Sequence, residues 1–219
     1  MKKAITFMAV MFSLAAVSQA QVSFGVHAGV NFQNINGKDY NGDKLTNDLK
    51  TGFQGGVVVE LPVAPDFYIQ PGLSFSTKGA KEKQGEFTGK LSISYLELPI
   101  HFLYKPKLGS GKLIVGFGPY VAYGVGGKMK FEGGGTSETR NLKFKNKLTT
   151  EQLMDDNIYV RPLDAGADIF FGYEFNFKVS VQLNAQLGLL KMDPSYEGNE
   201  NDKSVSKNTG FGLSLGYRF

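Results

Sequence analysis

The feature that most constrains the fold of this chain is a strict alternation of apolar with polar or small residues. In the segment 178–190, apolar side chains occupy every second position, and serine, glutamine, asparagine and glycine fill most of the others. A period of two gives an extended strand one apolar and one polar face. The pattern recurs in eight segments. In chain order these are VSFGVHAGVNFQ (22–33), GFQGGVVVEL (52–61), FYIQPGLSFSTK (67–78), KLSISYLELPIHFLYK (90–105), KLIVGFGPYVAYGV (112–125), PLDAGADIFFGYEF (162–175), KVSVQLNAQLGLL (178–190) and GFGLSLGYRF (210–219).

The composition agrees with many short strands and little helix. Glycine is frequent at 28 residues, and aromatic residues make up 13% of the chain. We therefore predict an all-β protein. After the first twenty residues, no stretch reaches the length of about 18 apolar residues that a transmembrane helix needs. The 24 lysine and arginine residues are spread along the chain, which argues against a nucleic-acid partner.

Residues 1–20 have the pattern of a cleaved secretory signal. Lys2 and Lys3 precede an apolar stretch that ends at Val17, and the small residues Ser18 and Ala20 follow at the spacing of a cleavage site. The expected division is a signal peptide at 1–20 and a single barrel domain at 21–219. Because the chain contains no cysteine, we expect an exported protein without disulfides.

The connections between the eight segments alternate between short and long. Short turns follow the second, fourth and sixth segments, whereas long polar connections occupy 34–51, 79–89, 126–157 and 192–206. Outer-membrane barrels have short periplasmic turns and longer extracellular loops. This pattern predicts an eight-stranded antiparallel transmembrane up-and-down β-barrel, with both chain termini on the periplasmic side after export through the periplasm.

The composition of the two strand faces distinguishes a membrane barrel from a soluble one. A lipocalin-like barrel turns its apolar face inward, whereas a membrane barrel turns it towards lipid. Here the apolar face carries almost no charge over its middle, and aromatic residues cluster at both strand ends, which favours the membrane barrel. The expected girdles are Tyr104, Phe175, Phe177, Tyr217 and Phe219 near the turns, and Phe32, Tyr95, Tyr123 and Tyr159 near the loops. A change of phase between Tyr95 and Leu96 predicts a β-bulge.

Several blocks of the sequence resemble a known family. They are YLELPIHFLYK (95–105), GFGPYVAYG (116–124), DAGADIFFGYEF (164–175) and GFGLSLGYRF (210–219). They resemble the outer-membrane β-barrel proteins of Bacteroidetes-type bacteria, which include PorT-like and OmpX-like small barrels. The resemblance implies an eight-stranded barrel in the outer membrane. It implies no activity, because the role of PorT in protein secretion belongs to only a subset of this family.

An eight-stranded barrel has an interior that side chains can fill. We therefore expect its polar residues to form a hydrogen-bonded and ionic plug, and Lys78 is a further candidate partner for the acids. A narrow ion path and a catalytic interior are the alternatives. The expected network comprises Glu97, His101, Lys105, Asp164, Asp168, Glu174 and Arg218.

The sequence gives little support to catalysis or to a metal or cofactor. His27 and His101 are the only histidines, and no serine, histidine and acid converge at a barrel rim in the predicted register. We therefore expect a protein that is not an enzyme. The segment DYNGDKLTNDLK (39–50) begins like a calcium loop, but Lys44 and Lys50 stand where glycine and glutamate are needed.

The connection 126–157 is the candidate interaction segment. Thr149 and Gln152 have the spacing of a capping box for one short helix. The connection is expected to dock anionic surface lipid, a glycan or a protein partner; the alternative is a loop whose charge only keeps it solvated. Its basic residues are Lys128, Lys130, Arg140, Lys143, Lys145 and Lys147.

The final segment ends on Tyr217 and Phe219. The family resemblance implies that such an aromatic end is recognised by the barrel-assembly machinery. The expected function is a structural or surface-interaction role in the outer membrane, with outer-membrane lipid as a further partner. The alternatives are a component of an envelope secretion or transport machine, and a ligand-binding or lipid-modifying barrel.

Overall fold

The computed structural model describes residues 22–153, 155–196 and 204–219, and the predicted signal peptide lies outside them. The described residues form fourteen strands and one short helix. The strands are β1 (Ser23–Lys38), β2 (Lys50–Ala64), β3 (Phe67–Lys78), β4 (Lys81–Gln84), β5 (Phe87–Tyr104), β6 (Lys107–Leu108), β7 (Gly111–Gly133), β8 (Thr136–Phe144), β9 (Lys147–Leu148), β10 (Ile158–Val160), β11 (Leu163–Glu174), β12 (Val179–Gly188), β13 (Ser195–Tyr196) and β14 (Val205–Arg218), and the helix is α1 (Thr150–Leu153).

Eight of these strands form a closed ring. Its order is β1, β2, β3, β5, β7, β11, β12 and β14, and every neighbouring pair is antiparallel. The ring closes between β14 and β1, with Arg218 opposite Gly25 at one end and Val205 opposite Lys38 at the other. The predicted eight-stranded up-and-down barrel is therefore confirmed. No helix within the described part of the chain is long and apolar enough to cross a bilayer.

The two ends of the barrel differ in their connections. At one end, called the turn end, the strands are joined by short turns around 65–66, 105–110 and 175–178. Asp66 and Lys178 take left-handed backbone angles there, with φ of 64° and 67°, as tight turns require. Ser23 and Phe219 also lie at the turn end, because they continue β1 and β14 to the same side. The opposite end, called the loop end, carries the long connections.

The two faces of the barrel wall are inverted relative to a soluble protein. Large apolar side chains point outward, and Leu183, for example, is 62% exposed in the isolated protein. Polar side chains such as Gln70, Ser76 and Asp164 are buried inside. An apolar outer band around a polar interior is the arrangement of a membrane barrel. Gly116 illustrates the close packing of this interior, because a Cβ atom there would lie 2.2 Å from the ring of Phe170.

The prediction of a bulge in the fourth segment is wrong. Ile93 and Tyr95 are completely buried and point inward in phase with Glu97, so β5 does not change phase. The irregularity lies on the partner strand, where Ser94 pairs with Gly126 and Tyr95 pairs with Gly124. Tyr95 consequently does not belong to the outer aromatic girdle. The barrel interior becomes apolar at this height, and apolar residues of β5 fill it.

The connection 126–157 is largely β-structure rather than an irregular loop. Strands β5 and β7 run beyond the barrel, and β8 pairs with β7 through a hairpin at Gly134 and Gly135, whose φ angles are 56° and 77°. Strand β10 joins β8 in parallel, and β4 pairs with β5. We call the sheet formed by β4, β8, β10 and the outer parts of β5 and β7 the sheet extension. The helix α1 begins at Thr150, next to a hydrogen bond of 3.2 Å from the Thr149 amide to the Gln152 side chain.

Candidate functional site

The barrel interior holds two charged clusters and a polar centre. Near the turn end, the Lys105 ammonium lies 3.0 Å from both carboxylate oxygens of Glu60 and 2.7 Å from Glu174. The Arg218 guanidinium also donates to Glu174, at 2.7 Å through Nη2 and 3.1 Å through Nε. Only 1% of Lys105 is exposed. Two cations and two carboxylates from four parts of the barrel wall therefore neutralise one another.

The second cluster lies near the loop end and centres on Lys78, which is completely buried. Its ammonium is 2.8 Å from Glu97 and 3.0 Å from Asp164. It also lies 4.2 Å from the centre of the Tyr120 ring, a cation–π geometry. The Tyr120 hydroxyl and the Asn208 amide both donate to Asp164, at 3.3 and 3.0 Å. The cluster therefore joins strands β3, β5, β7, β11 and β14 through one lysine.

The polar centre lies between the two clusters and encloses a cavity of about 80 Å³. On one side His101 Nε2 lies 3.0 Å from Asp168, whose other oxygen accepts a hydrogen bond of 2.9 Å from Gln186. On the other side His27 Nε2 lies 3.3 Å from the Ser74 hydroxyl. The cavity has room for a few water molecules only.

This centre contains the residue types of a nucleophilic triad without its connectivity. Ser74 contacts His27, but the carboxylate of Asp168 is bound to His101 instead. A triad needs one histidine that contacts both the nucleophile and the orienting acid. Among the described residues, no group of three or more histidines, cysteines and acids is placed to hold a metal ion.

An apolar cluster closes the interior at the loop end. Leu142, Val160 and Met192 come from β8, β10 and the segment after β12, and they pack on Ile93 and Tyr95 of the wall. All five side chains are buried. We call this cluster the cap. Its members lie directly above the Lys78 cluster, since Tyr95 and Tyr120 border both.

The structure brings the seven predicted interior residues together as three ionic groups, two of which Gln186 links by donating to Asp168 at 2.9 Å and to Glu97 at 3.5 Å. Glu97 and Asp164 share Lys78, His101 pairs with Asp168, and Glu174 binds Lys105 and Arg218.

Sequence reasoning missed Glu60, Tyr120 and Asn208 as members. Glu60 lies on the predicted polar face, so its parity was an available signal. Tyr120 shares the inward parity of Gly116, Gly118 and Ala122, although an aromatic side chain gave no sign of contacting a buried ion. Asn208 lies beyond the alternating segment and had no such signal.

The six basic residues of the predicted interaction segment do not form one patch. Lys130 pairs with Glu132, and Arg140 pairs with Glu138 at 2.6 Å and with Asp156 at 3.6 Å. Their register places Lys128, Lys130 and Lys143 on one face of the sheet extension and Arg140 on the other. The hydrogen bond from Arg140 to Glu138 raises the pKa of the guanidinium. Lys145 and Lys147 lie further along the chain, beyond the end of β8.

The aromatic residues at the end of β14 lie where the sequence places them. Tyr217 and Phe219 point outward at the turn end, with ring centres 5.2 Å apart in an edge-to-face arrangement. The Phe219 amide donates a hydrogen bond of 2.8 Å to the Phe24 carbonyl and so extends the seam between β14 and β1. Phe175 and Phe177 stack at the same end.

A closed ring with an apolar outer band, a polar interior and unequal ends defines a small membrane-spanning barrel of the outer-membrane class. The family model for the outer membrane protein beta-barrel domain matches residues 17–193. The chain belongs to this family, and its location is the outer membrane. The finer assignment to a PorT-like subset stays a prediction.

Several solved structures are similar to this chain at low sequence identity. The attachment invasion locus protein Ail of Yersinia pestis is 15% identical, with a TM-score of 0.42 over 91% of this chain and 99% of that one. OprG from Pseudomonas aeruginosa is 13% identical, with a TM-score of 0.45 over 90% and 95%. A major outer membrane protein from Thermus thermophilus is 16% identical, with a TM-score of 0.45 over 90% and 99%. No match was found among curated proteins.

Proposed function

We propose that this protein is a closed outer-membrane barrel that conducts no ions and presents the sheet extension at the cell surface. Its role is structural or interactive rather than transport or catalysis. The observation that carries the proposal is the filled interior, in which Lys78 and Lys105 are each held between carboxylates from different strands.

The filled interior supports a barrel without a pore for a physical reason. An ion path needs continuous water, and the two cavities beside His27 in the polar centre measure only about 80 and 40 Å³. A wider cavity of about 330 Å³ at the turn end stops at Glu60, Lys105 and Arg218. Opening a path would separate buried ion pairs and leave their charges uncompensated, which is strongly unfavourable. The apolar cap adds a dry barrier at the loop end. Each of these features opposes conduction independently.

The sheet extension supports an interactive role. It prolongs β5 and β7 beyond the barrel as a paired sheet, so its outer residues are held in fixed positions. Binding surfaces that are already ordered lose less conformational entropy on binding than flexible loops do. The extension therefore offers a pre-organised surface at the end of the molecule that faces the exterior.

The chemistry of the polar centre supports a role without catalysis. His27 has no orienting carboxylate among the described residues, and Asp168 is engaged by His101 and Gln186. The cavity beside them is also too small to admit a substrate larger than a few atoms.

The experiment is a conductance recording on the purified protein in a planar lipid bilayer. The wild-type protein is expected to give no stable conductance. The positive control is a double variant. Leu142→Asp opens the cap, and Lys78→Ala opens the Lys78 cluster below it. This variant is used if it retains heat-modifiable gel mobility. A large and stable wild-type conductance would overturn the proposal. A second arm places a photo-crosslinking residue at Thr139 in intact cells, with the lipid-facing position Leu183 as its matched control.

A further inference from the structure

A notch interrupts the barrel wall at the loop end, between β2 and β5. The hydrogen-bonded ladder between β2 and β3 begins at Gln54 opposite Ser76. Higher up, the Phe53 amide donates to the Thr77 hydroxyl at 2.9 Å, and Lys50 and Thr51 pair only with β1. Because β3 ends at Lys78, β2 and β5 stand apart here, and the backbone pair of Asp48 and Lys81 bridges the gap again further along. The gap holds a cavity of about 440 Å³.

The notch contains a cation with a buried stem and no partner among the described residues. Lys50 is only 4% exposed, yet its ammonium makes no hydrogen bond or ion pair with any residue that the structure describes. Lys78 and Lys105, the other buried lysines of the barrel, each contact two carboxylates. The stem of Lys50 is buried in the wall, but its ammonium opens into the cavity rather than onto a carboxylate. Lys50 lines the cavity, so an anion in the cavity would supply the missing charge.

The walls of the notch add two more cations. Lys90 of β5 and Lys128 of β7 line the same cavity, together with the hydroxyl groups of Thr51, Ser92 and Ser94. No carboxylate lines it among the described residues. Ammonium and hydroxyl groups are the donors that bind phosphate oxygens.

The sheet beside the notch concentrates the same charge. Lys90 lies directly opposite Lys81 on β4 and opposite Lys130 on β7, so three lysines form a row across three strands. Like charges directly opposite one another destabilise a sheet. Glu132 is one acid beside this row. Its hydrogen bond to Lys130 lowers its pKa most, and Lys90 and Lys81 lower it further. Asp48 lies opposite Lys81 at the end of the row and is a second acid there. Two carboxylates do not balance three lysines, so an external anion would relieve their repulsion.

The position of the notch indicates the source of the anion. Lys90, Ser92 and Ser94 share their face of β5 with Leu96 and Leu98, which are exposed on the lipid side. Phe53, another exposed outer residue, also borders the cavity. The notch therefore lies just beyond the apolar band, at the height of lipid headgroups.

We propose that the notch binds the phosphate group of a lipid in the surrounding outer leaflet, through Lys50, Lys90 and Lys128. The lipid chains would lie against the outer apolar band below it. The proposal depends on the membrane location of the barrel but not on the absence of a pore, so the conductance experiment and the one below fail separately.

The test uses native mass spectrometry of the purified full-length protein in dodecyl maltoside, titrated with phosphatidic acid, diacylglycerol or sodium phosphate. Wild-type protein is expected to retain phosphatidic acid and not diacylglycerol. Lys50→Met and Lys90→Met are each expected to weaken phosphatidic acid binding about tenfold, the value of one hydrogen bond to a charged group. The matched control is Lys107→Met, an exposed lysine at the turn end, which should leave binding unchanged.

Each other outcome contradicts a defined part of the proposal. The site would be overturned if the wild-type protein retained diacylglycerol as well as phosphatidic acid. It would also be overturned if Lys50→Met bound phosphatidic acid as tightly as wild type does. Sodium phosphate binding as tightly as phosphatidic acid would overturn the lipid as its source. In the absence of ligand, Lys50→Met is expected to unfold at the same or a higher temperature than wild type, since it removes a partly desolvated cation that contacts no carboxylate. A clear loss of thermal stability would instead show that Lys50 has a structural role.

Discussion

Lys78 shows how a single residue can hold this barrel together. It belongs to β3, and its two carboxylate partners belong to β5 and β11, so its contacts cross the interior rather than follow one strand pair. Such a buried ion pair is not by itself a source of stability, because desolvation offsets the attraction. Removal of only one partner, however, leaves the other charges buried where water cannot reach them. The stability of the barrel therefore depends on the balance of the cluster rather than on any one contact.

The substitution Lys78→Met tests this balance. It leaves Glu97 and Asp164 buried without a cation, and the free energy of unfolding is expected to fall by about 3–5 kcal/mol. Urea unfolding in lipid vesicles, followed by heat-modifiable gel mobility, measures the change. Adding Glu97→Gln and Asp164→Asn to the same variant should restore much of the loss. An unchanged unfolding curve for Lys78→Met would contradict the role of Lys78 in balancing the two buried carboxylates.

Gly116 offers a second test at the same scale, of packing rather than charge. A methyl group there would collide with the buried ring of Phe170, so Gly116→Ala is expected to lower the free energy of unfolding by about 1–3 kcal/mol. A Cβ atom at Gly126 would have no other atom within 4 Å, so Gly126→Ala serves as the matched control. The same urea titration compares the two. Combining Gly116→Ala with Phe170→Leu should recover stability, and equal effects of both alanines would count against the packing argument.

At the scale of the element, β5 shows both the strength and the limit of alternation as a signal. From Leu96 to Tyr104 the outward residues are apolar, and parity assigns every side chain correctly. Before Leu96 the same parity places Ile93 and Tyr95 inside, where the cap makes the interior apolar too. Alternation reports the polarity of a side chain and not the face on which it lies. The sequence therefore suggested a change of phase that the strand does not make.

The sheet extension is open to a direct test because the chain has no native cysteine. Lys130 and Thr139 lie directly opposite each other on β7 and β8. Cysteines at both positions are expected to form a disulfide on mild oxidation, since cross-strand Cβ atoms lie within bridging distance. Gel mobility after protease cleavage at the hairpin measures the yield. The control pairs Lys130→Cys with Lys143→Cys, four residues along β8. Equal yields from both pairs would indicate a loop without fixed register.

For the molecule as a whole, the sequence predicted the ring well and its outer sheet poorly. Eight alternating segments and unequal connections determined the number, order and direction of the barrel strands, because lipid requires an apolar outer face and complete backbone pairing. Strands β8 and β10 lie beyond the barrel, where no lipid requires an apolar outer face, and the sequence predicted only a loop. The interior residues followed from parity. Parity could not predict which acid contacts which lysine, because those contacts depend on the stagger between strands around the ring.

Closure of the ring gives the last prediction. Phe219 adds a backbone hydrogen bond to Phe24 and an aromatic contact with Tyr217 at the turn end, outside the interior clusters. The substitution Phe219→Ala is therefore expected to change the unfolding temperature of the purified barrel little, while lowering the amount assembled in the outer membrane several-fold. Quantitative blots of membrane fractions and a thermal melt measure the two effects. Phe177→Ala, an equally exposed aromatic at the same end, is the control. Equal loss in both variants would contradict a recognition role for β14.

The seam between β1 and β14 also has a kinetic consequence. It joins Gly25 to Arg218, residues separated by almost the entire described chain, so it is the contact of greatest sequence distance in the ring. Contacts of this kind form slowly, because a long loop must close before any of them is gained. Until then β1 keeps an unpaired edge beside an apolar face, a combination that favours aggregation. A chain that folds this way needs protection from aggregation on its way to the membrane. It is most prone to aggregate in the interval before the seam closes.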